Sequence, residues 1–267
     1  MQKKPRLGQN FLIDADACRK VVTALGDISQ RPVLEIGPGR GAITRLLSTR
    51  AGHLTLAEFD RTLAAALLQE YHENAKIDVR EVDILALDLT ALARERGKRL
   101  TVVGNLPYYI TSDILLHLTR HHVALERIVV MVQREVAERI AAPPGSSDYG
   151  VLSATLQLYG PVELLFTLPP GAFSPPPEVY SSVFRLEVRP QLEELGVSAE
   201  RFVPFLRLSF AQKRKTWANN LRAAGYTAAQ VAAALATAGL EPSVRAEAVD
   251  LPGMATVFRA LSPKHHL

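Results

Sequence analysis

The sequence is nearly without cysteine, since Cys18 is the only one among 267 residues. A single thiol can form neither an intrachain disulfide nor a cysteine-based zinc site. We therefore expect a reducing compartment, the cytoplasm. We also expect Cys18 to be a small apolar residue in an N-terminal helix, not a nucleophile.

Long apolar runs are also missing. No stretch approaches the roughly 18 apolar residues of a membrane span, and the basic residues Lys3, Lys4 and Arg6 are not followed by the apolar segment of a secretory signal. We therefore expect no membrane partner. His117 and His121 have no cysteine or acidic ligand at a suitable spacing, so we predict surface positions for them and no metal site.

The overall composition and length of the chain are typical of a globular enzyme. The chain is 48% hydrophobic, carries a formal charge of +4 and has a pI of about 9.3. It is long enough for one large domain and a small one. The mild positive charge is compatible with nucleic-acid binding, although many soluble enzymes share it.

Strand-like and helical segments alternate along most of the chain, which predicts a parallel sheet with helices on both faces. Two later strand-like runs, Val162–Phe166 and Ser182–Val188, predict an antiparallel edge. Strand patterns stop near Pro190, so we predict domains over residues 1–189 and 190–267, the second all-helical. Within it, Ala228–Ala238 is predicted as a helix, with Thr227 as its N-cap and Gly239 as its stop. The predicted parallel strands end near five residues: Gly37, Glu58, Asp83, Asn105 and Gln133.

A glycine-rich turn follows the first of these strands. Gly37, Gly39 and Gly41 allow a tight turn and close approach of a ligand, but their spacing lacks the last glycine of the dinucleotide pyrophosphate fingerprint. Glu58 can accept the hydroxyls of a ribose. The glycine turn alone is compatible with a nicotinamide cofactor. Asp83, placed to accept the amine of an adenine, favours S-adenosylmethionine.

The segment Asn105-Leu106-Pro107-Tyr108 suggests a site for an adenine amine. The lone pair of an exocyclic N6 amine is delocalised into the purine ring, so it is a poor nucleophile. The Asn105 oxygen and a backbone carbonyl held by Pro107 can accept both N–H bonds and favour a pyramidal nitrogen. Tyr108 is predicted to stack on one face of the base. Phe173, carried by the stiff prolines that follow it, is predicted to stack on the other.

Together, these motifs resemble the ribosomal RNA adenine N6,N6-dimethyltransferases, most closely their bacterial small-subunit branch. The likeness covers nearly the whole chain, and its motifs occur in the expected order. The chain departs from the family pattern at Glu178, Tyr180 and Trp217. The motifs are Gly8–Leu12, Glu35–Gly41, Glu58, Asp83, Asn105–Tyr108, Ala172–Pro177 with Val179, Ser209–Thr216 and Asn219–Leu221.

The resemblance implies a Rossmann-like class I methyltransferase fold with a seven-stranded, mostly parallel sheet. It implies dimethylation, by S-adenosylmethionine, of two adjacent adenosines in the 3′-terminal hairpin of small-subunit rRNA within an assembling ribosomal subunit. We expect a monomer. The implied donor site comprises Asn10, Leu12, Gly37, Gly39, Glu58, Asp83, Ile84 and Asn105. The implied target site comprises Asn105, Leu106, Pro107, Tyr108 and Phe173. The implied RNA-facing residues are Lys213, Arg214 and Lys215 on a helix, extended by Lys3, Lys4 and Arg6.

Three other functions are weighed against this one. Large-subunit rRNA adenine methyltransferases share most of the motifs. A non-catalytic ribosome-assembly factor could use the same scaffold, although every presumed donor and acceptor contact is intact. A methyltransferase acting on protein glutamine is disfavoured, because its comparable turn has proline where this chain has Leu106.

Overall fold

The computed structural model describes residues 9–261, which form two compact units. The first contains the described residues up to Ala137 together with Pro161–Val188, and the second contains Glu138–Gly160 and the residues from Arg189 onward. One boundary between the units falls after Val188, and Glu138–Gly160 groups with the second unit, whereas the sequence predicted a single break with these residues in the first domain. These residues pack with the second unit because Tyr149 and Leu158 are buried in its apolar core.

Nine strands occur in the described residues, all of them in the first unit. They are β1 (Phe11–Leu12), β2 (Pro32–Ile36), β3 (His53–Glu58), β4 (Ile77–Glu81), β5 (Leu100–Asn105), β6 (Leu125–Gln133), β7 (Val162–Leu168), β8 (Phe173–Ser174) and β9 (Ser181–Glu187).

Eleven α-helices occur in the same range. They are α1 (Ala15–Ala24), α2 (Thr44–Leu47), α3 (Arg61–Tyr71), α4 (Leu89–Arg96), α5 (Thr111–Arg120), α6 (Arg134–Ala141), α7 (Val151–Leu158), α8 (Ala199–Ser209), α9 (Trp217–Ala223), α10 (Ala228–Thr237) and α11 (Leu251–Leu261).

Seven strands form one sheet in the order β4-β3-β2-β5-β6-β9-β7. The first five are parallel to one another, and at the other edge β9 runs antiparallel to both of its neighbours, β6 and β7. This confirms the predicted Rossmann-like architecture. Strand β2 is buried along its whole length, as expected for a central strand covered on both faces. The two-residue strands β1 and β8 pair separately.

A close approach between β2 and β5 brings the ends of these two strands together. A side chain at Gly104 would place its Cβ 2.5 Å from the carbonyl oxygen of Ile36, so only glycine fits there. As a result, Asn105 and the turn that begins at Gly37 lie side by side at the carboxyl edge of the sheet.

The second unit has its own core, in which Phe202, Phe205 and Trp217 are fully or almost fully buried. Helix α10 begins and ends as predicted: Thr227 and Gln230 form a capping box, and Gly239 adopts a positive φ of 66° just after the helix.

Two small predictions from the sequence had different outcomes. Cys18 is buried in the core of the first unit, as expected. His117 is not at the surface: it is only 8% exposed, and its Nε2 lies 3.0 Å from the carbonyl oxygen of Leu87. Helix α5 turns this residue inward, so the surface position predicted for His117 is wrong. Across residues 9–261, no helix has the length and apolarity needed to cross a membrane.

Candidate active site

A cleft opens at the carboxyl edge of the sheet in the first unit. Its open space measures about 1080 Å³, including solvent at its mouth. It brings together every predicted donor-site residue and all but one of the predicted target-site residues. These are Asn10, Leu12, Gly37, Gly39, Glu58, Asp83, Ile84, Asn105, Leu106, Pro107 and Tyr108.

The glycine turn at the base of the cleft is held in a conformation that favours glycine. Gly37 and Gly39 have φ values of 61° and 58°. A Cβ on Gly39 would lie 2.9 Å from the ring of Phe11, which packs directly on the turn. The guanidinium of Arg40 lies over the same ring, 4.5 Å from its centroid. Strand β1 therefore covers the turn and forms one wall of the cleft.

Glu58 connects the turn to the end of β3. Its Oε2 accepts a hydrogen bond from the Gly39 amide and its Oε1 accepts one from the Asp60 amide, both at 2.9 Å. A carboxylate has about four lone-pair sites, so each oxygen keeps capacity for a ribose hydroxyl. The residue thus both shapes the turn and can bind a ligand.

Asp83 ends the segment after β4. One of its oxygens accepts from the Leu85 amide at 2.9 Å, which caps a short 3-10 turn and fixes the side chain at the cleft. The buried Ile84 contributes an apolar wall. Sequence reasoning missed Phe59, which lines the cleft while 61% exposed. An aromatic residue directly after the acid at a strand end was the available signal.

A second carboxyl group, that of Glu35, lines the cleft while almost completely buried. It accepts a hydrogen bond from Thr44 Oγ1 at 2.7 Å. Burial, reinforced by the nearby charge of Glu58 and only partly opposed by the Thr44 hydrogen bond, raises the pKa of Glu35 to about 8. This raised pKa favours the protonated form of the carboxyl at neutral pH.

Asn105 has one half of its amide anchored and the other half without a partner. Its Nδ2 donates to the Asn10 carbonyl at 2.9 Å. Its Oδ1 is buried and accepts no hydrogen bond from any described residue. A buried acceptor left unpaired costs about 1–3 kcal/mol, so such atoms are uncommon outside binding sites. The arrangement leaves Oδ1 available to an N–H donor entering the cleft.

The residues after Asn105 are held by backbone hydrogen bonds. The Leu106 amide donates to the Met131 carbonyl at 3.0 Å. The Pro107 carbonyl already accepts one hydrogen bond, from Thr111 Oγ1 at 3.0 Å. The carbonyl of Leu106, which precedes the fixed φ of −64° at Pro107, is a candidate second acceptor for an amine.

Tyr108 is partly buried, and its hydroxyl shares a 2.6 Å hydrogen bond with Ser181 Oγ at the start of β9. Burial raises the pKa of the phenol, so it stays neutral. This tether fixes the ring relative to Asn105.

Phe173 lies elsewhere than predicted. It is 2% exposed, belongs to the core of the first unit and does not line the cleft. The reason is the pairing of β8 with β1, which places Phe173 opposite Leu12 and turns its ring inward. In this conformation the ring does not form the second face of a stacking pair.

The basic cluster Lys213–Lys215 is exposed as predicted, but it occupies the loop between α8 and α9 and not a helix. Helix α8 ends at Ser209, whose carbonyl accepts a hydrogen bond from Asn220 Nδ2 at 2.7 Å, and Thr216 starts a new helix as its N-cap. Lys3, Lys4 and Arg6 lie outside the described residues.

The residues of the cleft fit S-adenosylmethionine. The carboxylates of Glu58 and Asp83 are placed for ribose hydroxyls and an adenine amine, the exposed ring of Phe59 can cover the base, and the glycine turn leaves room for close approach. Within residues 9–261, no group of three or more histidine, cysteine, aspartate or glutamate side chains is arranged to hold a metal ion.

Comparison with known proteins agrees with this geometry. The chain is 57% identical over 261 residues to the ribosomal RNA small subunit methyltransferase A of Acidobacterium capsulatum, covering 98% of this chain and 92% of that protein. A dimethyladenosine transferase from Plasmodium falciparum superposes with a TM-score of 0.78 at 22% identity, covering 92% of this chain and 95% of that one. The 23S rRNA methyltransferase ErmE gives a TM-score of 0.71 at 28% identity, with 94% and 99% coverage.

A family profile described as ribosomal RNA adenine dimethylase matches residues 1–262. This match and the similarity to the Acidobacterium protein both extend over nearly the full chain. The chain therefore belongs to the ribosomal RNA adenine dimethylase family.

Proposed function

We propose that this protein transfers methyl groups from S-adenosylmethionine to the N6 atoms of two adjacent adenosines in the 3′-terminal hairpin of small-subunit rRNA, giving N6,N6-dimethyladenosine. The unpaired Oδ1 of Asn105 is the observation that carries the proposal, because it is a buried acceptor at the point where an adenine amine would enter the cleft. The protein acts as a monomer in the cytoplasm on an assembling ribosomal subunit.

The side chains and backbone of the protein position the two reactants and polarise the N6 amine. Bound S-adenosylmethionine supplies an electrophilic methyl group. Asn105 Oδ1 and the Leu106 carbonyl accept the two N6–H bonds, which localises the lone pair on nitrogen and directs it along the line of displacement. Tyr108 stacks on the adenine. Since the ammonium formed at N6 is acidic, water can take its proton and no strong base is required.

Recognition of the ribosomal substrate is assigned to the second unit. Lys213, Arg214 and Lys215 are exposed on one short loop, and side chains of this kind bind RNA phosphates. The loop is fixed at its base by Asn220. Phosphate contacts here would select the subunit without touching the donor.

The test is transfer of a tritiated methyl group to unmethylated small subunits, large subunits and bare rRNA, followed by nucleoside analysis. Dimethyladenosine confined to small-subunit RNA supports the proposal. Methylation of large subunits instead would favour the activity named for the ErmE relative. Tight subunit binding without any methyl incorporation under saturating donor would indicate an assembly factor. The Asn105→Ala variant is the inactive control.

A further inference from the structure

Tyr180 and Arg134 form a pair that adjoins Ser181, the residue that tethers Tyr108, and the reaction described above does not use this pair. Arg134 follows the end of β6, and Tyr180 precedes the start of β9. The Arg134 amide donates to the Tyr180 carbonyl at 2.9 Å, which continues the ladder between these strands by one step. The guanidinium of Arg134 lies over the Tyr180 ring, 5.3 Å from its centroid.

The pair is close to Tyr108 through the backbone. Tyr180 immediately precedes Ser181, whose hydroxyl is 2.6 Å from the Tyr108 hydroxyl. Consecutive Cα atoms are about 3.8 Å apart. The Tyr180 backbone is therefore about that far from Ser181, which holds the Tyr108 ring that we assign to the target adenine. The side chains of both Tyr180 and Arg134 are exposed, and Tyr180 is 47% exposed.

An exposed tyrosine supported by a guanidinium has the chemistry of a base-stacking site. Aromatic rings stack on any nucleobase, and arginine adds a cation–π contribution. The Tyr180 carbonyl and the Arg134 amide already pair with each other, so a base can cover the ring without leaving these two backbone groups unpaired. Resting on the proposed function, we propose that Tyr180, held by Arg134, stacks on the nucleotide that flanks the target adenosine in the ribosomal RNA.

The experiment compares Tyr180→Ala, Tyr180→Phe and Leu164→Ala. Affinity for unmethylated small subunits is measured over a series of salt concentrations, together with kcat and KM for methyl transfer. Leu164 is the matched control, because it is an apolar residue of the same sheet with similar exposure, 44%, in the interior of the neighbouring edge strand β7. Donor affinity and thermal unfolding establish that each variant is folded.

We expect Tyr180→Ala to weaken subunit binding and raise KM about tenfold, the scale of one lost base–aromatic stack. The slope of log affinity against log salt should stay at the wild-type value, because no phosphate contact is removed. Tyr180→Phe should restore binding, since the ring and not the hydroxyl stacks. Arg134→Ala should move affinity in the same direction by a smaller factor.

A folded Tyr180→Ala variant with wild-type affinity and KM overturns the inference while leaving the proposed function intact. Equal losses in Tyr180→Ala and Leu164→Ala would also overturn it, because the effect would then be a general one of the sheet surface. Failure of the wild-type protein to methylate small subunits would instead remove the proposed function, and the inference with it.

Discussion

The side-chain amide of Asn105 donates through Nδ2 to the backbone carbonyl of Asn10, 2.9 Å away. These residues are 95 positions apart in the chain. The bond decides which end of the amide faces the cleft: with Nδ2 anchored, Oδ1 becomes the acceptor available to substrate. The N-terminal segment therefore orients the candidate catalytic side chain while also covering the glycine turn through Phe11.

This relationship leads to the first prediction. Asn105→Ala should lower turnover at least about a hundredfold, because it removes a preorganised polar contact to the reacting amine. Asn105→Asp should also be impaired, since a carboxylate oxygen would face the Asn10 carbonyl without a proton to donate. Single-turnover methyl transfer is the measurement. Subunit affinity should barely change, and near-normal turnover in either folded variant would contradict the assigned role.

The second prediction concerns the donor. Glu58→Ala should weaken S-adenosylmethionine binding by about 1.5–3 kcal/mol, the scale of hydrogen bonds to a charged group, as measured by calorimetry. Part of this loss reflects the Gly39 turn, which Glu58 also holds. Glu58→Gln keeps an acceptor and should lose less. Glu81→Ala is the control, an exposed acid at the end of β4 that does not line the cleft.

A third prediction follows from the buried Glu35 carboxyl. Its pKa is raised from 4.5 to about 8 in the folded protein. Between about pH 5 and pH 8 the folded chain therefore retains a proton that the unfolded chain has released, so the stability contributed by this group falls as pH rises. Glu35→Gln lacks this linkage. Its melting temperature should rise relative to wild type across that interval, whereas parallel pH profiles would show that Glu35 ionises normally.

The fourth prediction tests the basic loop. Replacing Lys213, Arg214 and Lys215 with alanine should weaken subunit binding and make the slope of log affinity against log salt shallower by up to about two to three units. Donor affinity should survive, since the cleft residues belong to the other unit.

The matched control removes the same charge from a different surface. Arg50, Lys76 and Lys98 are exposed and precede β3, β4 and β5, at the sheet edge opposite the cleft. Their replacement with alanine should leave the salt dependence nearly unchanged. Equal effects of the two triple variants would mean that only overall charge matters, and a wild-type slope in the Lys213–Lys215 variant would place subunit recognition elsewhere.

Local sequence patterns were sufficient to predict most of the strands, the cleft residues and the ends of one helix. The β-branched runs and the residues that follow them located the seven sheet strands, and the carboxyl ends of parallel strands necessarily meet at one edge. For that reason the sequence alone predicts that Gly37, Glu58, Asp83 and Asn105 share one cleft. The ends of α10 were equally local, because its N-cap and its stop residue lie within a few positions of the helix.

The burial and orientation of several residues depend on partners that are distant in the sequence, so local patterns could not predict them. The pairing of β8 with β1 buries Phe173. Residues of Glu138–Gly160 pack into the core of the second unit. Both follow because apolar surface is buried wherever complementary surface is available. Asn220 binds the last carbonyl of α8, and the basic residues lie on the loop that follows. The orientation of Asn105 depends on a carbonyl 95 residues away. Local patterns therefore predict most elements and the chemistry at their ends, whereas the partners that folding brings together decide which of those groups are paired and which are left for a ligand.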